Sequence, residues 1–174
     1  LMTARTEAVG LGKGMDEVLS AAVGLNSEFG FTLDESVALA SSVLDTSMAL
    51  GLSDEEGGKL LGTLTKIGGM SFESAENFAK QTQLLAKAEG VSPQAVMKDM
   101  ADSAETIAKF TGETPEHLAK AAIQANKLGL SLNTIGAAAE GVLDFQSSLN
   151  AEVSASQMLG RKVNMQKARE LAMA

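Results

Sequence analysis

The chain has 174 residues, no cysteine, tryptophan or tyrosine, and a formal net charge of −8. The absence of cysteine excludes disulfides, thiolate catalysis and zinc–sulfur sites, and the acidic balance disfavours direct binding to nucleic acid or anionic lipids. Hydrophobic residues make up 45% of the chain without a continuous run of about 18, so we expect a packed core and no membrane insertion.

Residues 1–14 are predicted to form an N-terminal arm that ends in a glycine-rich hinge, Gly10-Leu11-Gly12-Lys13-Gly14. This hinge superficially resembles a phosphate-binding loop, but it lacks the Gly-Lys-Ser/Thr ending and no predicted strand precedes it. A flexible joint is therefore the favoured interpretation. Residues 15–131 are predicted to form a bundle of short capped helices, and the first of them covers Asp16 to Phe29.

A triplet of glycine, any residue, and serine or threonine recurs six times and divides the chain. Glycine readily adopts the left-handed conformation that closes a helix, and the hydroxyl oxygen accepts a hydrogen bond from the first turn of the next helix. Each triplet therefore predicts a corner between two helices. The six corners are Gly30-Phe31-Thr32, Gly51-Leu52-Ser53, Gly69-Met70-Ser71, Gly90-Val91-Ser92, Gly112-Glu113-Thr114 and Gly129-Leu130-Ser131.

Residues that follow the corners support the same helix starts. The segments 32–35 and 53–56 each begin with a hydroxyl residue and end with glutamate, which is the spacing of a capping box. The two prolines of the chain, Pro93 and Pro115, directly follow a corner hydroxyl. Proline is favoured at this first helical position because no hydrogen bond is lost there.

Between corners the apolar residues recur at helical spacing, and such short turns force neighbouring helices to pack against each other. The sequence therefore predicts an all-α fold, an irregular multi-helix bundle of short antiparallel helices with one helix between each pair of corners. An α-solenoid is the alternative, because two successive corner spacings add to about 40 residues.

Residues 132–174 are predicted to form one long helix and a C-terminal helix. The long helix starts after Ser131, reaches Leu159 and breaks at Gly160, and Asn164 has the character of an N-cap for the last helix. No stop signal follows that last helix, so we expect it to continue into a longer parent chain. The apolar stripe of the long helix consists of Leu132, Ile135, Ala139, Val142, Phe145, Leu149 and Val153.

The last 14 residues are basic, in contrast with the rest of the chain. Arg161, Lys162, Lys167 and Arg169 are opposed only by Glu170. A helix with solvated charges is the simpler interpretation, and contact with an acidic surface is the alternative.

No catalytic, cofactor-binding or metal-binding residues are predicted, and we expect no enzymatic activity. The single histidine, His117, lies in a first helical turn without a predicted nucleophile or metal partner. The acidic segments 34–35 and 54–56 lack the spacing of a calcium loop, and helix capping explains them. Met97 and Met100 lie on an apolar face and are interpreted as core, with an adaptable docking surface as the alternative.

The C-terminal stretch resembles a segment of tail tape-measure proteins and related virion structural proteins of tailed bacteriophages. The similarity is clearest over residues 128–174, in Leu143-Asp144-Phe145-Gln146-Ser147-Ser148-Leu149-Asn150-Ala151-Glu152 and in the Leu159-Gly160-Arg161-Lys162 turn with the following residues up to Ala172. The short, glycine-separated helices of this chain depart from the very long coiled helices of typical tape measures.

This resemblance implies a structural role in tail assembly and genome delivery. The implied location is the virion tail, after synthesis in the host cytoplasm. The implied partners are the tail tube and baseplate hub proteins, with several copies of the chain around the tail axis and no cofactor. Two alternatives stay open: an adaptor module that binds partner helices, and a fragment of an enzyme whose active site lies elsewhere in the parent chain.

Overall fold

The structure, a computed structural model, describes residues 14–109, 115–143 and 145–172. These residues form ten α-helices and no β-strand, which confirms the predicted all-α fold. A π-helical turn, Thr63–Ile67, continues the third helix. The helices are α1 (Met15–Phe29), α2 (Leu33–Leu50), α3 (Asp54–Gly62), α4 (Phe72–Ala88), α5 (Pro93–Ala101), α6 (Ala104–Lys109), α7 (Pro115–Lys127), α8 (Leu132–Leu143), α9 (Phe145–Leu159) and α10 (Gln166–Ala172).

Five of the six predicted corners lie in the described residues, and their glycines adopt φ angles between +66° and +72°. The corner hydroxyls of Thr32, Ser53, Ser71 and Ser92 each accept a hydrogen bond from the backbone N–H three residues later, at 3.1–3.4 Å. Glycine and hydroxyl thus act as predicted at these corners. The corner Gly112-Glu113-Thr114 lies outside the described residues.

The sequence predicted one helix after Ser92, but the chain breaks it into α5 and α6 at Asp102 and Ser103. The N–H of Asp102 still reaches the Lys98 carbonyl at 3.0 Å, whereas the N–H of Ser103 bonds the Met100 carbonyl at 3.1 Å, only three residues back. Aspartate and serine compete with helical hydrogen bonding through their own side chains, so they favour helix ends. The prediction of a single helix was wrong: it relied on glycine to mark helix ends, and no glycine marks this break.

The chain divides into two compact units, Leu1–Leu132 and Asn133–Ala174. In the first unit α3 packs against α1, α2, α4 and α5, while α2 also contacts α5 and α4 contacts α7. Besides sequential neighbours, these contacts join helices two or three positions apart in chain order. The chain direction changes by 110° between α2 and the segment made of α3 and its π-helical turn. The two helices therefore meet at a steep angle.

The core of the first unit consists of buried apolar side chains from several helices, and its largest fully buried members include Leu44, Leu60, Leu61, Leu64, Met97 and Met100. Two glycines of α3 allow the helices to approach closely. A Cβ at Gly57 would lie 2.7 Å from the Ser47 Cβ, and a Cβ at Gly62 would overlap the Phe29 ring. Small residues therefore set the spacing of α3 from α1 and α2.

The second unit contains α8 beyond Leu132, α9 and α10. Asp144, between α8 and α9, lies outside the described residues, so one continuous helix to Leu159 stays a prediction. Gly160 ends α9 with φ +61°, and the Asn164 Oδ1 accepts the N–H of Gln166 at 2.8 Å. Both ends of the turn between α9 and α10 thus follow the prediction.

None of the described helices taken alone is long and apolar enough to cross a membrane. The bent pair Leu33–Leu50 and Asp54–Ile67 reaches that length and composition when its two members are taken together.

Candidate protein interaction surfaces

The structure gives the predicted acidic segments a capping role. The Glu35 carboxylate accepts the N–H of Thr32 at 2.9 Å, and the Glu56 carboxylate accepts the N–H of Ser53 at 3.0 Å. These hydrogen bonds hold the pKa of both glutamates below the usual range, and for Glu56 an ion pair with Lys98 at 2.8 Å contributes first. The acidic segments therefore stabilise the starts of α2 and α3.

The other single residues considered from sequence lie on described helices or directly before one. His117 is exposed in the first turn of α7, and within the described ranges no group of three or more histidine, aspartate or glutamate residues is placed to hold a metal ion. Met97 and Met100 are fully buried, which confirms their interpretation as core. Of the glycine-rich hinge only Gly14 is described, and it precedes α1.

One polar residue that the sequence did not single out fixes the start of α8. The Asp99 carboxylate accepts the N–H of Leu132 at 2.8 Å and the Nδ2–H of Asn126 at 3.2 Å. Burial raises the pKa of Asp99, and the two hydrogen bonds oppose that rise. The sequence signal for this role was an aspartate between Met97 and Met100 on a helix with a buried face. Its partners could not be inferred from that signal because they are 27 and 33 residues away.

A groove of about 520 Å³ lies on the second unit, where the chain folds back after α9. We call it the C-terminal groove and define it by Leu149, Val153, Arg161, Lys162 and Val163. Its turn is fixed because the N–H of Val163 donates to the Ser156 Oγ at 2.9 Å. Leu149 and Val153 are 39% and 57% exposed, so the groove offers apolar surface beside two cationic side chains and the carboxylate of Glu152.

Exposed apolar side chains continue beyond this groove. Met158 and Leu159, at the end of α9, are 87% and 58% exposed. Ser148 is the only buried side chain among the residues after Leu132 whose burial is described. Within that described part, Ile135, Val163 and Met165 are half-buried, whereas the large apolar side chains of α9 are exposed.

A second groove, of about 370 Å³, lies between α1 and α3 on the first unit. We call this surface the acidic face and define it by Leu19, Val23, Glu28, Asp54 and Glu55. All of these residues except Leu19 line the groove, and Leu19 lies one turn before Val23 on α1. Leu19 and Val23 are 46% and 58% exposed.

The acidic face belongs to a segment with an extreme charge balance. Residues 14–58 contain nine acidic residues and no lysine or arginine. The nine are Asp16, Glu17, Glu28, Asp34, Glu35, Asp45, Asp54, Glu55 and Glu56. The residue after this segment, Lys59, also lines the groove of the acidic face, and Glu152 lines the C-terminal groove. The two surfaces thus share exposed aliphatic side chains and differ in the sign of the charge that predominates on each.

Comparisons with known proteins give no further assignment: no family model, no curated protein and no solved structure matches the chain.

Proposed function

We propose that this chain is a non-enzymatic structural component of a bacteriophage virion, a helical module of a tail tape-measure protein that acts in tail assembly and genome delivery. The resemblance over residues 128–174 supports the virion assignment. Its partners would be the tail tube and baseplate hub proteins, together with further copies of the chain around the tail axis. Its location would be the virion tail, after synthesis in the host cytoplasm.

The observation that carries this proposal is the outward-facing apolar surface of the second unit. Leu149, Val153, Met158 and Leu159 are exposed on one helix. Isolated helices of this length are marginal in water, and most of their stability comes from packing of an apolar face. Leu149 and Val153, four residues apart, lie on the same face of α9, whereas Met158 lies on the opposite side of the helix. A helical unit of this kind is suited to assembly with partner chains.

Mass spectrometry of purified phage particles tests this proposal. We expect peptides of this chain in intact particles, in a fixed ratio to the tail tube protein. We also expect the peptides to be depleted from particles after DNA ejection has been triggered, because a tape measure leaves the tail ahead of the genome. Intact particles without these peptides would contradict the proposal.

An adaptor module is the second candidate, and the groove between α1 and α3 favours it. An exposed pair of aliphatic residues beside acidic residues matches a helix with apolar anchors and basic flanks. Mass photometry of the purified chain separates the two candidates: a closed oligomer supports the virion component, whereas a monodisperse monomer supports the adaptor.

A further inference from the structure

We infer that copies of this chain associate head to tail, with the C-terminal groove of one copy binding the acidic face of the next. The inference deepens the proposed assembly function by naming the two surfaces and the occupant, a second copy of the chain.

The apolar parts of the two surfaces are matched in spacing. Leu19 and Val23 project from α1 four residues apart, and Leu149 and Val153 line the C-terminal groove four residues apart. Residues at this spacing are neighbours along one helix face. An α1 ridge with two anchors can therefore lie along the apolar wall of the groove, as amphipathic helices do in partner grooves.

The charges at the edges of the two surfaces are complementary. Glu28, Asp54 and Glu55 line the groove of the acidic face together with a single lysine, Lys59, so acidic residues predominate there. Arg161 and Lys162 line the C-terminal groove together with Glu152, so basic residues predominate there. The test below changes Glu28, Glu55, Arg161 and Lys162. All four of these charged residues are exposed. Opposite charges across an interface favour correct encounter, and like charges oppose the wrong pairing. An acidic face pressed against another acidic face would bring carboxylates together, so charge favours the head-to-tail pairing.

The two surfaces are different, so their contact is heterologous. If the two contacts of one copy are made with two different neighbours, repetition produces a ring or an open filament. If two copies exchange both contacts, the C-terminal groove of each on the acidic face of the other, the result is a closed two-fold dimer. Head-to-tail contact is thus compatible with several copies around the tail axis.

Charge reversal on each surface tests the inference. The first variant, E28K/E55K, changes the acidic face, and the second, R161E/K162E, changes the C-terminal groove. By sedimentation velocity, we expect wild type to associate and each variant alone to need about a tenfold higher concentration, equivalent to 1.4 kcal/mol. An equimolar mixture should associate like wild type, because every contact in it again joins opposite charges.

The control matched to E28K/E55K is E73K/E116K, which makes the same change in net charge at exposed positions outside the acidic face. We expect this control to associate like wild type. Circular dichroism verifies the helical content of every variant. If a charge reversal disturbs folding, the neutral variants E28Q/E55Q and R161Q/K162Q replace the reversals. We expect each neutral variant to weaken association less than the corresponding reversal does. Their mixture contains no contact between like charges.

Three results would overturn the inference: association of both reversal variants at the wild-type concentration, failure of the mixture to recover association, or a wild-type chain that stays monomeric at every concentration. In the first two cases an assembly role through other surfaces stands. The particle experiment tests the virion assignment independently, so failure of the inference and failure of the proposed function are distinguishable.

Discussion

The two units of this chain treat similar aliphatic side chains in opposite ways. In the first unit Leu60, Leu61 and Leu64 of the α3 region are fully buried, whereas Leu149 and Val153 of α9 in the second unit are substantially exposed. Both sets recur at helical spacing, so the pattern of apolar residues does not distinguish them. The difference teaches that helical spacing marks an apolar stripe but does not decide whether the chain buries it, which in the first unit depends on packing between several helices.

The largest expected effect comes from removing a core side chain of the first unit. Leu61→Ala deletes a fully buried side chain and should lower the free energy of unfolding by about 2–5 kcal/mol. The same substitution at Leu149 in the second unit should change it by about 0.5 kcal/mol or less, because the residue is exposed. Urea unfolding of both full-length variants measures the contrast. Equal losses at the two positions would remove the distinction between the units.

The close contact of α3 with α2 gives the next largest effect. Gly57→Ala would force the new methyl group against Ser47, and we expect overpacking to cost about 1–3 kcal/mol. The matched control is Gly58→Ala, whose Cβ would meet only a Val43 methyl group at an ordinary 3.7 Å. That variant should gain up to about 1 kcal/mol from helix propensity. If the thermal unfolding midpoint shifted in the same direction for both variants, the close packing of Gly57 against Ser47 would be contradicted.

The hydroxyl caps of the first unit should each contribute a smaller amount. Thr32→Ala or Ser53→Ala removes the acceptor for the first turn of α2 or α3 and should cost about 1 kcal/mol. Ser154→Ala, at an exposed mid-helix position of α9 in the second unit, is the control and should stay within about 0.5 kcal/mol of wild type. Urea midpoints at a fixed protein concentration distinguish a capping hydroxyl from an ordinary surface serine.

The pH dependence of stability should show the smallest effect. The pKa values of Glu35, Glu56 and Glu89 are lowered from 4.5 by hydrogen bonds to backbone groups or lysine. Their stabilising contribution is therefore present above pH 4.5 and is lost as the pH falls through the lowered folded-state values. Glu56→Gln should reduce the slope of the unfolding midpoint against pH below 4.5. An unchanged slope would show that the Ser53 and Lys98 contacts do not persist in solution.

Asp99 acts in the opposite direction. Burial raises its pKa above the ordinary 3.8, so its contribution is largest below that value and declines as the pH rises through the raised folded-state pKa. Asp99→Asn removes the charge but keeps an oxygen for the N–H of Leu132. In wild type we expect the urea midpoint of unfolding to decline as the pH rises just above 3.8, because Asp99 ionises there. The Asp99→Asn variant should lack this decline.

The sequence predicted features whose cause lies within a few residues. Gly30 and Thr32 are one example: the left-handed glycine and the capping hydroxyl are local choices. The break at Asp102 was missed because aspartate and serine end helices only in certain contexts. The two grooves were also missed, since they depend on how α1 lies against α3 and how the chain after Gly160 folds back. Those contacts are set by packing between distant residues.

Hydrogen–deuterium exchange of the full chain at two protein concentrations tests the contrast between the units most directly. The account predicts that the amides of α2, α3 and α5 are strongly protected at both concentrations. The amides of α9 should exchange rapidly in a dilute, monomeric sample and become protected when copies associate at high concentration. Protection of α9 in the dilute monomer equal to that of α3 would contradict the proposal that copies of the chain cover the exposed side chains of α9.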